Sequence, residues 1–263
     1  MTETDMGQDA SMETPQQPNK NKKGLWAAFG ALIYLLSKFK FLLIFLKMGK
    51  FLTTFGSMFL MIWIYGAMFG WKYGVGIVLL IFIHEMGHYL TAKKVGLNVS
   101  APLFIPFVGA FISMKEQPRD AVTEAKVALG GPVLGSLGAL FCAALYPLTG
   151  QQFWSALAYT GFMINLFNLV PFHPLDGGRI VSAISPKMWL VGIPLMVIAA
   201  LKFFNPILIL LLIMGVPQMY RQWKSPNKEY YDTPLQTRII FASLYFGLIT
   251  LLGVGMAYIY SSH

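Results

Sequence analysis

Three ionisable side chains fall within one five-residue segment of a largely apolar stretch. Residues 74–94 read GVGIVLLIFIHEMGHYLTAKK and contain His84, Glu85 and His88. Residues four apart in a helix project from one face, so both imidazoles are expected to point at a common position. Two histidines in that arrangement match what a tetrahedral zinc site needs. Glu85 falls about 100° further round the helix, where its carboxylate can act on the water of a zinc site without ligating the metal.

The position of this motif favours a functional site over a chance match. H-E-x-x-H also occurs by chance on solvated helices, but here few other polar residues accompany it. At about 1.5 Å per residue, His84 lies roughly 15 Å from Gly74 and roughly 14 Å from Lys93. This depth is between the midplane of a bilayer and one of its faces. Ionisable groups are costly to bury there and are functional by default.

A zinc ion with two histidine ligands needs a third protein ligand and leaves one position for water. The other polar cluster at a predicted membrane boundary is NLFNLVPFHPLDGGRI, residues 165–180. Its prolines and glycines predict a break in the helix. Asp176 is the favoured third ligand because the glycines after it allow close approach to the metal helix. His173, three residues earlier, is the alternative.

The composition indicates a protein that contacts lipid. Of the 263 residues, 56% are hydrophobic and only 12% are charged, and the mean hydropathy is +0.59. A soluble domain has about a quarter of its residues charged. The net charge of +9 comes from Lys and Arg clustered between apolar segments, which is typical of loops held at anionic lipid. We therefore expect a lipid bilayer as partner and no nucleic acid.

The chain divides into three predicted regions. Residues 1–24 are polar and are predicted to be a disordered tail. Residues 25–50 alternate apolar clusters with lysines, which predicts interfacial amphipathic helices. Residues 53–260 form the predicted transmembrane domain, an all-α polytopic fold of about six to seven helices. The predicted spans lie near 53–71, 74–92, 127–147, 153–170, 189–203, 206–220 and 238–260.

The basic residues also predict an orientation. The segments that flank the predicted spans lie alternately on the two sides of the membrane. Eighteen of the twenty Lys and Arg fall in the segments on one side, and only Lys72 and Lys202 fall in those on the other side. This bias predicts a multi-pass protein with a cytoplasmic N-terminus and an outside C-terminus. The cell membrane is the expected location. The helices at 189–203 and 206–220 are short and could form a hairpin that does not cross, and the orientation would then be unchanged.

Both motifs together resemble the site-2 protease family of intramembrane zinc metalloproteases. HEMGH on an apolar helix is followed about ninety residues later by N-x-x-P-x-x-P-L-D-G-G, residues 168–178. The resemblance covers roughly residues 53–190. It implies that His84, His88 and Asp176 hold one Zn²⁺ per chain and that Glu85 is the general base. It also implies that Asn168 binds substrate.

Two further stretches bear on the resemblance. Residues 128–135 resemble the Gly-Pro helix of the family, but Gly135 or Ser136 stands where many members have Asn, so no polar role is carried over. Residues 101–115 alternate like a strand. In the family a strand-forming loop here lies near the metal and can pair with an unwound substrate. Family members often carry a PDZ domain or paired cystathionine-synthase-like domains, and this sequence resembles the minimal form without them.

The resemblance implies hydrolysis of peptide bonds in or near transmembrane segments of membrane proteins, which is regulated intramembrane proteolysis. A metal or proton transporter is an alternative, but it would need ionisable residues spread over several spans. A di-iron oxygenase would need more histidines than the four present. A catalytically inactive scaffold is opposed by the intact Glu85. The sequence specifies neither the substrate nor an oligomeric state.

Overall fold

The computed structural model describes Gly49, residues 53–224 and residues 227–261. The predicted tail at 1–24 lies outside the described residues, as does the predicted interfacial region at 25–50 except for Gly49.

Apolar helices make up most of the described chain, as the sequence predicts. A short hairpin follows the second helix, and a 3₁₀ turn (Pro186–Met188) precedes the sixth. In chain order the elements are α1 (Thr53–Phe69), α2 (Trp71–Lys94), β1 (Leu103–Ile105), β2 (Gly109–Phe111), α3 (Ala121–Thr149), α4 (Gln152–Asn168), α5 (Asp176–Ile184), α6 (Trp189–Phe203), α7 (Pro206–Lys224) and α8 (Leu235–Ser261).

Four helical segments of the described chain are long and apolar enough to cross a membrane. They are α2, α3, the segment Pro186–Phe203 and α8. Helices α1 and α4 have 17 residues each, which is at the short end for a span of the hydrocarbon core. The count of six to seven crossings therefore remains a prediction.

Helices α2 and α3 approach each other closely where the sequence places glycines. A Cβ atom added at Gly87 would collide with the carbonyl of Gly130, and one added at Gly131 would collide with the ring of His88. Only glycine permits such an approach of two backbones. The crossing therefore brings α3 directly against the face of α2 that carries the histidines.

The break between α4 and α5 is shorter than the sequence predicts. Helix α4 continues to Asn168, and α5 begins at Asp176 and includes both following glycines. A Cβ at Gly177 would strike the carbonyl of Leu169, and one at Gly178 would strike the backbone at Phe172. These glycines are therefore present for close packing within a helix rather than for breaking it.

Side chains from other elements satisfy the backbone of this break. The Tyr245 hydroxyl of α8 donates to the Leu169 carbonyl at 2.6 Å, and Trp189 Nε1 donates to the Gly178 carbonyl at 2.9 Å. Both residues are buried. Irregular backbone at membrane depth is tolerated where protein surrounds it in this way.

The predicted β-type loop at 101–115 contains a hairpin. Strands β1 and β2 are antiparallel, with Phe104 opposite Ala110. The Phe104 N–H donates to Ser57 Oγ of α1 at 3.1 Å, so this N–H points away from β2. Because ladder bonds alternate along antiparallel strands, the N–H and C=O of Ala110 also point away from their partner strand. One edge of the hairpin is thus covered by α1, and the other is the outer edge of β2.

Candidate metal centre

Three side-chain atoms from two helices form a nearly equilateral triangle. His84 Nε2 lies 3.1 Å from Asp176 Oδ2, His88 Nε2 lies 3.2 Å from the same oxygen, and the two Nε2 atoms are 3.1 Å apart. His84 and Asp176 are buried, at 4% and 8% exposure. The structure therefore brings together the two histidines and the carboxylate that the sequence favours.

Partners on the far side of each ring fix which imidazole nitrogen carries the proton. His88 Nδ1 lies 2.8 Å from the carbonyl oxygen of Val127, and His84 Nδ1 lies 2.8 Å from Asn165 Oδ1. Both of these oxygens accept, so each Nδ1 is the donor and each Nε2 presents a lone pair. Two lone pairs and a carboxylate oxygen thus converge on one position.

This donor set and its dimensions fit a zinc ion. Bonds of about 2.0–2.1 Å to tetrahedral ligands place neighbouring ligand atoms about 3.3 Å apart. The three observed edges of 3.1–3.2 Å are close to that value. Three electron-rich atoms at such separations repel one another unless a cation or a proton lies between them, and two imidazoles with one carboxylate are typical of catalytic zinc.

Glu85 lies beside this triangle without belonging to it. One ligand-type atom from each of His84, Glu85 and His88 lies within 4.8 Å of the others. Glu85 is 6% exposed and lines the same cavity as both histidines. Its carboxylate is therefore placed to exchange protons with a molecule bound in that cavity.

The start of α5 positions Asp176. It is the first residue of the helix, where the free backbone N–H groups and the helix dipole favour a carboxylate. Gly177 and Gly178 let this end of α5 pack against the break that precedes it. The carboxylate is thereby held at the histidine face of α2.

His173, the alternative third ligand, lies elsewhere. It is 2% exposed, and its ring packs edge-on against Trp189 at a centroid distance of 5.0 Å. Its Nε2 has no hydrogen-bond partner among the described residues. His173 is also absent from the described residues that line the cavity beside the triangle. The structure therefore groups Asp176, and not His173, with the two histidines.

Asn168 is also on the cavity wall. Its Nδ2 donates to the carbonyl of Ile164 at 3.1 Å, which leaves its Oδ1 available to a bound molecule. One turn earlier lies Asn165, which contacts His84 and which neither sequence motif predicts as a site residue. An amide within an apolar helix, three residues before Asn168, is a sequence signal that could point to a role for Asn165. Its partner His84 is 81 positions away, so nothing in the local sequence identifies this contact.

The cavity that opens beside the triangle has a volume of about 440 Å³. Its walls are mainly apolar and come from several elements. Residues of the β2 region line one side, and α7 lines another. These wall residues are Val108, Ala110, Phe111, Ile112 and Met114, and Ile207, Leu210, Leu211 and Met214.

A polar cluster borders this cavity. Arg179, on the cavity wall, lies 4.0 Å from Glu124 of α3. The Tyr230 hydroxyl donates to the same carboxylate at 2.7 Å. Burial, followed by the negative charge of Glu124, raises the pKa of Tyr230 well above its ordinary value, so this phenol remains a donor. The segment before α8 is thus fastened to the start of α3.

A sequence model of peptidase family M50 matches residues 73–151 and 148–213, which is more than half of the chain. The chain belongs to peptidase family M50. The resemblance to the site-2 protease family is thereby confirmed. Together with the four apolar helices, it makes this chain a multi-pass membrane protein.

Three of the similar proteins come from one archaeon and two bacteria. The chain is 32% identical over 119 residues to a zinc metalloprotease of Methanocaldococcus jannaschii, covering 41% of this chain and 33% of the relative. It is 30% identical over 127 residues to Rip3 of Mycobacterium tuberculosis, covering 43% and 32%. It is 25% identical over 113 residues to stage IV sporulation protein FB of Bacillus subtilis, covering 42% and 39%. These matches span about a third of each relative.

Proposed function

We propose that the protein is an intramembrane zinc metalloprotease that hydrolyses peptide bonds in or near transmembrane segments of other membrane proteins. The observation that carries the proposal is the triangle of His84, His88 and Asp176 beside the buried carboxylate of Glu85. Membership of peptidase family M50 and relatives that are named zinc metalloproteases support it.

In this proposal one zinc ion per chain is held by His84 Nε2, His88 Nε2 and Asp176 Oδ2. When bound, zinc supplies Lewis acidity to the substrate carbonyl and lowers the pKa of water. The Glu85 carboxylate takes a proton from the attacking water and passes it to the leaving amide nitrogen. The Asn168 amide binds the substrate beside the reacting bond, because its Oδ1 is free to accept from a peptide N–H.

The hairpin supplies the means of holding an extended substrate. A helical peptide bond is shielded by its own turn, so substrate has to be unwound before attack. The outer edge of β2 presents the N–H and C=O of Ala110, whose side chain lines the cavity. Pairing with this edge would stabilise the unwound segment next to Glu85. The other edge, at β1, is occupied by the contact between Phe104 and Ser57 of α1.

The substrates in this proposal are membrane proteins with a transmembrane helix, and the bilayer is the medium in which they meet the enzyme. The bias of basic residues supports a cytoplasmic N-terminus and an outside C-terminus in the cell membrane. Arg179, which contacts Glu124, then lines the cavity on its cytoplasmic side. Water would reach the site from that side.

The test uses the purified full chain, reconstituted in liposomes together with a reporter protein that has one transmembrane helix, and measures cleavage of the reporter. We expect cleavage in the presence of zinc, loss with a chelator and recovery when zinc is added back. The Glu85→Gln protein serves as the control for contaminating proteases. A wild-type protein that moves metal across the liposome membrane and cuts nothing would instead support a transporter.

A further inference from the structure

We propose that Asn165 is a positioning residue of the metal centre: its side-chain oxygen holds the tautomer and orientation of His84. This inference rests on the proposed zinc site and adds a residue that neither the motifs nor the family resemblance assigns. Asn165 lies on α4, which contributes none of the three triangle atoms.

The orientation of the Asn165 amide follows from its own partners. Nδ2 donates to the carbonyl of Gly161 at 2.7 Å, within the same helix. A carbonyl only accepts, so the amino group must be on that side and Oδ1 must face the other way. Oδ1 lies 2.8 Å from His84 Nδ1. The proton of the ring is therefore on Nδ1, and Nε2 is left with its lone pair towards Asp176.

Space for this amide is provided by a glycine on α3. A Cβ atom at Gly135 would collide with Oδ1 of Asn165 and approach its other amide atoms within 2.9 Å. Asn165 is 2% exposed, so water does not replace the contact. Gly135 of α3 thus leaves room for the Asn165 amide of α4, and the amide oxygen accepts a hydrogen bond from Nδ1 of His84.

The two histidines differ in how they are held. His88 Nδ1 donates to a main-chain carbonyl, that of Val127, which no substitution removes. His84 Nδ1 depends on a side chain. Loss of such a partner leaves a buried N–H unpaired and allows the proton to move to Nε2, where it blocks metal binding. Removing an outer partner of a ligating histidine typically weakens metal affinity about 10–100-fold.

The test measures zinc affinity of purified full-length protein by competition with a chromogenic chelator, so that activity is not needed. We expect Asn165→Leu to weaken zinc binding about 10–100-fold. Phe162→Leu is the matched control: it is a buried residue on the same helix, and it packs on Gly255 rather than on the metal centre. It should lower thermal stability and leave zinc affinity unchanged.

A second pair of variants separates the hydrogen bond from packing and covers the case in which Asn165→Leu does not fold. Gly135→Ala leaves the amide chemically intact but forces it away from His84, and it should weaken zinc binding in the same direction. Moving the amide to the facing helix, with Gly135→Asn and Asn165→Ala combined, should recover affinity relative to Asn165→Ala alone. Gly135→Leu combined with Asn165→Ala restores a similar volume without the amide, and it should recover nothing if the hydrogen bond, and not space filling, holds His84.

The inference is overturned if folded Asn165→Leu or Gly135→Ala protein binds zinc as tightly as wild type. It is also overturned if Phe162→Leu weakens zinc binding as much as Asn165→Leu does. The same holds if the double variant Gly135→Asn, Asn165→Ala folds but binds zinc no more tightly than Asn165→Ala alone. A wild-type protein that binds zinc and cleaves substrate leaves the proposed function intact in each of these outcomes. Failure of the wild-type protein to bind zinc would instead remove the proposed function itself.

Discussion

Replacing Asp176 tests which residue completes the zinc site. Its Oδ2 lies 3.1 Å and 3.2 Å from the two imidazole nitrogens, so Asp176→Ala removes one of three protein donors and the only charged one. Structural zinc is bound with about 10–16 kcal/mol over four ligands, or roughly 3 kcal/mol per ligand. At about 1.4 kcal/mol per tenfold, zinc affinity should fall at least about a hundredfold. Cleavage of a reporter helix should be lost.

The matched comparison is a change at His173 that preserves its packing. The ring of His173 is buried against Trp189, so alanine would leave a cavity and lower stability on its own account. His173→Phe keeps an aromatic ring, and the Nε2 that it removes has no hydrogen-bond partner among the described residues. We expect His173→Phe to bind one zinc per chain with wild-type affinity and to retain most activity.

The assay is zinc content by metal analysis together with affinity by chelator competition, on proteins whose thermal unfolding shows them to be folded. The assignment is refuted if His173→Phe loses the metal while Asp176→Ala keeps it. Retention of wild-type zinc affinity by both proteins would mean that neither residue is a ligand. In that case the triangle would be a hydrogen-bonded arrangement, and the third donor would have to be sought elsewhere on the cavity wall.

Three other predictions concern proton transfer, substrate and topology. Glu85→Gln should lower cleavage by about 10²–10⁴-fold with zinc content unchanged, because Glu85 lies beside the triangle; loss of zinc as well would make it a ligand. Ala110→Pro should slow cleavage about fivefold without changing zinc content, since it removes one outward N–H worth about 1 kcal/mol, whereas Ala110→Ser, which keeps the N–H, should cleave normally; equal rates would rule out pairing at β2. A reporter before Met1 should be found inside and one after His263 outside, and finding both on one side would require an even number of crossings.

The local parts of the site could be predicted because they depend on one helix. Residues four apart must share a face, so His84 and His88 were placed together by spacing alone. Asp176 is favoured by the glycines that follow it, and the family resemblance then implies it as the third ligand. The loop at 101–115 could be read from its alternation, and the structure has a hairpin there. These features follow from periodicity, which acts over a few residues.

The contacts that hold these groups in place could not be predicted, because they join distant parts of the chain. Asn165 is 81 positions from His84, and Tyr245 is 76 positions from the Leu169 carbonyl that it caps. The sequence predicts that Gly177 and Gly178 help to break the helix and allow close approach to α2, whereas α5 includes both glycines. Their packing against Leu169 and Phe172 is visible only once the break has folded back.

The site is therefore assembled by close approach of backbones rather than by long side chains. His88 meets Gly131 of α3 at a point where any side chain would collide with its ring, and its Nδ1 then reaches a main-chain carbonyl. Gly135 makes the equivalent room for the amide that holds His84. The first contact depends on the separation of α2 from α3, and the second depends on how α4 packs against both helices, so the orientation of the two imidazoles depends on helix packing. Small residues along α3 thus control the geometry of a site to which α3 contributes no ligand.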